Sequence, residues 1–247
     1  MMLHLNQKGR VAMFHNQRAV YLSRMLLVFS LIAVFLVLVL LLKNQYFLLF
    51  SFMVLLCTLL PAYWRFEHQP LKTQTLMFVA ILIALAVAGR VPFASIPSVQ
   101  AASFVIILGG VVLGPELGFV TGSTTALVSN MFLGQGPWTP WQMFSYGMIG
   151  YLAGILFQKG ILKARKIDLC IYGFLSVFLI FGGIMNPASI LMAYGRITKK
   201  SLIAFYISGA PVDLVQATST VIFLWILSRP LLEKLERVKR KYGLLQR

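Results

Sequence analysis

Residues 73–90 read TQTLMFVAILIALAVAGR, an uncharged run closed by Arg90. At 1.5 Å of rise per residue, roughly 17–25 apolar residues carry a helix through a hydrocarbon core about 30 Å thick. The run meets that length, so it is predicted to span a membrane. Ala80, Ala84 and Ala88 recur within it at four-residue spacing and give the helix a face of small residues.

Working outward, the rest of the chain has the same texture. Of its 247 residues 59% are hydrophobic and only 11% charged, the composition of a protein dissolved in lipid rather than water. The predicted fold is an all-α integral membrane protein with eight spans: 25–42, 46–64, 73–89, 100–113, 117–133, 142–158, 169–186 and about 202–228. The segment 100–113 is short for a full crossing, which tilting, kinking or extension into its flanks would remedy. The first span starts well inside the chain and no small-residue cleavage site follows it before the second, so a cleaved signal peptide is not expected. Cys57 and Cys170 both fall within spans and read as apolar filler rather than a disulfide.

The net charge of +16 is explained by topology. With both termini cytoplasmic, all but five of the 22 Lys and Arg (Lys43, Arg90, Arg196, Lys199 and Lys200) fall on the inner side. That asymmetry follows the positive-inside rule and requires no nucleic acid. Residues 1–64 form a cytoplasmic segment and an accessory helix pair, 65–75 (RFEHQPLKTQT) a cytoplasmic linker, 76–228 a six-helix membrane domain and 229–247 a basic tail. Leu231, Leu235, Val238 and Tyr242 make one stripe of that tail, as in a helix lying on the anionic inner leaflet.

The six-helix portion carries further small-residue pairs, Gly110/Gly114, Gly118/Gly122 and Gly150/Gly154. With no hydrophobic drive between helices in lipid, such faces permit close contact, either inside the bundle or against another membrane protein. Its polar residues fall at one depth near the outer face: Gln100, Asn130, Gln142 with Ser145 and Tyr146, Asn186, and Asp213 with Gln216 on its own face. Taken singly, Asn130 and Asn186 fit helix C-caps, while Gln100 and Gln142 fit covers for first-turn amides. Asp213 is the costliest, since an intramembrane carboxylate costs at least ~2.5–3.5 kcal/mol on insertion scales and usually faces a cavity or a partner. Gly209 and Pro211 precede it, where the helix is expected to break and free backbone groups.

Three outer loops would roof such a site: 90–99 (RVPFASIPSV), 134–141 (GQGPWTPW) and 187–201 (PASILMAYGRITKKS). The first two are stiffened by proline and carry aromatic and amide side chains, Phe93, Gln135, Trp138 and Trp141, suited to gripping a large, partly apolar ligand. Interface anchoring is the simpler role for the two tryptophans. No HExxH, GxSG, GxGD or Walker motif occurs, and His4, His15 and His68 all fall in cytoplasmic segments. A membrane enzyme on a lipid-like substrate, built on Asp213, and a scaffold for envelope assembly stay open beside a binding protein.

From about 73 to 228 the chain resembles the substrate-binding S component of energy-coupling factor (ECF) transporters, prokaryotic vitamin importers. The resemblance rests on six spans, on AILIALAVAGRVPF, on VIILGGVVLGPELGFVTGSTTALVSNMFLGQGPWTPWQMFSYGMIGYLAG and on GAPVDLVQ. Within that family it looks most similar to the branch for cobalamin or its corrinoid precursors. The resemblance implies a non-enzymatic subunit without cofactor or metal that binds a vitamin beneath the loops 90–99 and 134–141. It also implies docking to a transmembrane coupling protein driven by two cytoplasmic ATPases, through Ala80, Ala84 and Ala88. The extra helices 25–42 and 46–64 have no counterpart in that pattern.

Overall fold

A computed structural model describes the chain from residue 71 to residue 243 apart from Pro97, with scattered residues between 53 and 66. The predicted span 25–42, most of 46–64 and part of the linker lie outside the described residues. The rest is helical, with no strand among the described residues. In chain order the helices are α1 (Thr73–Ala88), α2 (Ala102–Leu113), α3 (Pro115–Leu133), α4 (Thr139–Gln158), α5 (Lys166–Tyr194) and α6 (Lys199–Lys241). A short 3-10 turn, Pro92–Ser95, follows α1.

Around an apolar core the bundle exposes apolar side chains and buries several polar ones. Ile81 on α1, Leu179 on α5 and Ile207, Val212, Ile222 and Ile226 on α6 are exposed, whereas Arg90, Thr121, Thr125, Asn130 and Gln216 are buried. Exposed apolar faces of this extent are stable only against lipid or protein. By length and apolarity α5 and α6 are each able to cross a membrane, with α1 and α2 as shorter apolar helices.

α3 and α4 make the closest helix pair, and glycine is the reason. A Cβ on Gly118 or Gly110 would strike the Gly150 backbone, one on Gly122 the Tyr146 carbonyl, and one on Gly154 the start of α3 at Pro115. Backbones in such contact gain dispersion energy along their whole length. α2 joins α3 at Gly114, whose φ of 93° is open to glycine at little cost. The glycine pairs therefore serve internal packing. Ala80, Ala84 and Ala88 do not: all three are exposed on α1.

Two boundaries differ from expectation. The predicted span 169–186 does not stop at Asn186, and 187–201 is not a long loop; α5 continues through Pro187 to Tyr194 and ends on Gly195 at φ 66°. Proline has no N–H to give the carbonyl four residues back. That carbonyl belongs to Gly183, and the Tyr206 hydroxyl of α6 donates to it at 3.1 Å instead. The helix thus keeps its hydrogen bonding across the proline. Just before it, Ser176–Phe181 widens into a π-helical segment.

The last helix, α6, likewise passes through Pro211 without the expected break, and through Pro230 into the basic tail, 43 residues in all. The tail is not a separate surface helix. Leu232 and Leu235 are buried in the core cluster with Leu231 and Val238 against it, and Lys239 Nζ donates to the Val112 carbonyl at 2.5 Å. Carbonyls in the last turn of α2 lack partners within the helix, and a cation there also suits the helix dipole. Upstream of α1, the Tyr63 hydroxyl bonds Ser123 and Thr124 on α3 at 2.9 and 2.8 Å, so the described end of the predicted 46–64 span is tied to α3.

Replacing Gly150 with leucine should prevent α3 and α4 from closing and lower the thermal unfolding midpoint of the detergent-purified protein sharply, by several kcal/mol of stability (overpacking alone costs about 1–3 kcal/mol). Gly183→Ala, where a Cβ meets nothing within 4 Å, should be tolerated.

Candidate ligand-binding site

The sequence places Arg90 at a membrane boundary, and the fold turns it inward. α1 ends at Ala88; Gly89 accepts the Ala101 amide through its carbonyl at 2.7 Å, drawing the chain ahead of α2 against the end of α1. Arg90 is then only 9% exposed. Its Nε donates to Gln100 Oε1 at 3.1 Å, one terminal nitrogen to Ser129 Oγ and to Asn130 Oδ1 (3.0 Å), and the other to Gln142 Oε1 (3.3 Å). Its guanidinium also lies 5.6 Å from the Tyr146 ring centre. Among the described residues no carboxylate pairs with it. Neutral acceptors from the start of α2, from α3 and from α4 carry the charge, which makes Arg90 the joint between three helices.

Asn130 extends the network. Its amide nitrogen donates to Gln142 Oε1 (2.8 Å) and to Thr139 Oγ1 (3.1 Å), so it is a buried connector and not a C-cap. Gln100 and Gln142 spend their carbonyls on Arg90, not on first-turn amides. The Thr139 hydroxyl donates to Gln135 Oε1 (2.8 Å), and Gln135 Nε2 to the Leu127 carbonyl (3.0 Å), which pins the 134–138 loop. Loop and network meet through these two residues and not through the indoles. Trp138 is 40% exposed with its ring laid over Gly136, and Trp141 is half-buried. Phe93 packs edge-on to Phe223 of α6, ring centres 5.5 Å apart.

Beside this network sits a second group. Tyr146 is fully buried, held between Arg90 and the Phe181 ring, whose centre is 4.9 Å away. Its hydroxyl points among Gln100, Ser103 and Gln216. By strict geometry the Tyr146 hydroxyl, Ser103 Oγ and Gln216 Nε2 complete no hydrogen bond, although they lie close to one another. Unpaired buried polar atoms are rare and costly, which makes this cluster the candidate site.

Asp213 and Asn186 form a separate pair. Asn186 Nδ2 donates to Asp213 Oδ2 at 2.8 Å. Glycines make the approach possible: a Cβ at Gly182 would collide with the Asp213 carboxylate, and one at Gly209 with the Asn186 amide. No hydrogen bond among the described residues joins this pair to the Arg90 network. Residue reasoning missed Arg90. The clue to Arg90 was chemical: Gln100, Asn130 and Gln142 bring carbonyl acceptors to one level, and the sequence near them holds one strong donor. Among the described residues no three His, Cys, Asp or Glu side chains gather to hold a metal ion.

An all-helical bundle with apolar outer faces and a buried polar layer has the make-up of a membrane protein. Residues 70–236 match the family model described as ECF-type riboflavin transporter, S component, and the chain belongs to that family, one of transporter subunits and not of enzymes. Curated relatives are UPF0397 proteins. That of Aliivibrio salmonicida is 31% identical over 122 residues (46% of this chain and 64% of the relative). One from Aliivibrio fischeri is 32% identical over 90 residues (34% and 49%). One from Vibrio atlanticus is 26% identical over 125 residues (48% and 68%). The matches thus span about half to two thirds of these relatives. No solved structure matches the chain.

Asn130→Leu keeps the volume but strips Arg90 of one acceptor and Gln142 and Thr139 of their donor. It should cost about 2–3 kcal/mol of stability, read as a lower unfolding midpoint, whereas Gln135→Ala in the exposed loop should cost under about 1 kcal/mol.

Proposed function

We propose that the protein is the substrate-binding subunit of an ATP-driven ECF vitamin importer, a multi-pass protein of the prokaryotic cell membrane with both termini in the cytoplasm. The observation that carries this reading is the buried polar layer with its three unpartnered groups inside a chain of this family. Arg90, Gln100, Asn130 and Gln142 hold that layer in place, and Tyr146 and Gln216 face the ligand. The 134–141 loop with Gln135, Trp138 and Trp141, together with Phe93, covers the site. Asp213 and Asn186 present a carboxylate and an amide beside it.

The ligand we favour is a flavin. The family description names riboflavin, and Trp138 covers its own loop instead of opening a wide aromatic lip for a corrinoid, the larger alternative. The six helices α1–α6 constitute the binding domain, with two further spans ahead of them. The partners are a transmembrane coupling protein and two cytoplasmic ATPases. Ala80, Ala84 and Ala88 on α1 are the docking face, since their exposure leaves them free for close helix contact that the glycine pairs spend inside the bundle.

Purified protein should quench riboflavin fluorescence on titration and release flavin on denaturation, identified by mass spectrometry, with cyanocobalamin titrated in parallel. Binding of neither vitamin would sink the proposal. Ala84→Trp should leave riboflavin affinity unchanged and abolish co-purification with the coupling protein; a normal complex would remove the docking face.

A further inference from the structure

The three unpartnered groups carry more than a location. Arg90 has five N–H donors and uses four, leaving one on the nitrogen that reaches Gln142. Its uncompensated positive charge stands over the Tyr146 ring, with no carboxylate paired to it among the described residues. Tyr146 and Ser103 each bring a hydroxyl that is able to donate. Gln216 adds an amide N–H group without an acceptor. Tyr146 cannot swing out to find one, because Arg90 and Phe181 hold its ring and no part of it is exposed. The cluster is a fixed surface of donors with a positive field behind it.

We propose that Tyr146, Ser103 and Gln216 form the specificity-determining edge of the site and recognise hydrogen-bond acceptors of the ligand, carbonyl oxygens or ring nitrogens. This rests on the reading of the protein as a vitamin-binding subunit. Recognition by prearranged unpaired donors discriminates steeply, because a ligand without matching acceptors leaves them buried and unpaired. The same arrangement is a burden on the empty protein, since a buried hydroxyl without a partner opposes folding. Removing such a hydroxyl should therefore weaken binding without weakening the fold, the opposite of what removing a structural hydrogen bond does.

The test uses the full-length purified protein with riboflavin and cyanocobalamin as probes. Tyr146→Phe and Ser103→Ala should each leave the ligand-free unfolding midpoint unchanged or raised and weaken affinity about tenfold for the vitamin that the wild type binds. Gln216→Glu, which puts an acceptor where the donor stood, should weaken it more than tenfold. Ser228→Ala removes a further buried unpaired hydroxyl, 12 residues along α6 from Gln216, and should leave affinity as it was. Wild-type affinity in Tyr146→Phe and Ser103→Ala, equal or tighter binding by Gln216→Glu, or midpoints several degrees lower for the two hydroxyl deletions would each overturn the donor edge alone. A wild type that binds neither probe would overturn the transporter reading and the donor edge with it.

Discussion

The structure turns on one buried charge. A guanidinium out of water must find acceptors, and Arg90 finds four, on side chains that enter from three directions. Their positions fix how α1 turns into α2, how far α3 reaches, and where α4 begins. The glycine contacts complete the constraint, because acceptors on α3 and α4 converge on one cation only if the two backbones approach closely. Dispersion along the glycine seam and charge-assisted bonds at its end thus support each other.

Much of this was legible from residue types. Apolar length marked α1 to α4 to within a few residues, since a helix in lipid must satisfy its own backbone and so runs until polar residues, glycine or proline allow it to end. The same rule misled at Pro187 and Pro211. A proline is a stop in isolation, but Tyr206 repairs the gap at Gly183 from another helix, and no local pattern announces a repair from 23 residues away. The tail deceived for a related reason. Its stripe does mark a helix with an apolar face, yet periodicity is silent on whether lipid or the protein's own core covers that face.

The site was legible as a set and not as a geometry. Gln100, Asn130, Gln142, Tyr146 and Gln216 do gather, but depth along a span cannot say which side chains meet. Asp213 drew notice for its charge and proved to share a hydrogen bond with Asn186. Arg90 escaped notice because an arginine after an apolar run is the commonest kind of boundary marker. Small residues show the limit most clearly: AxxxA and GxxxG read alike in sequence, and only burial separates the glycines inside the bundle from the alanines on its outer face.

The continuity of α6 has a consequence for how this chain is able to vary. Gln216 near Tyr146 and Lys239 on the end of α2 sit on one unbroken helix. Each residue of an α-helix turns it by about 100°, so a single insertion or deletion between those two positions would rotate one of them away from its neighbours. A loop would absorb such a change; a rigid rod cannot. The interval 216–239 is therefore a fixed ruler in this fold, open to substitution and closed to changes of length.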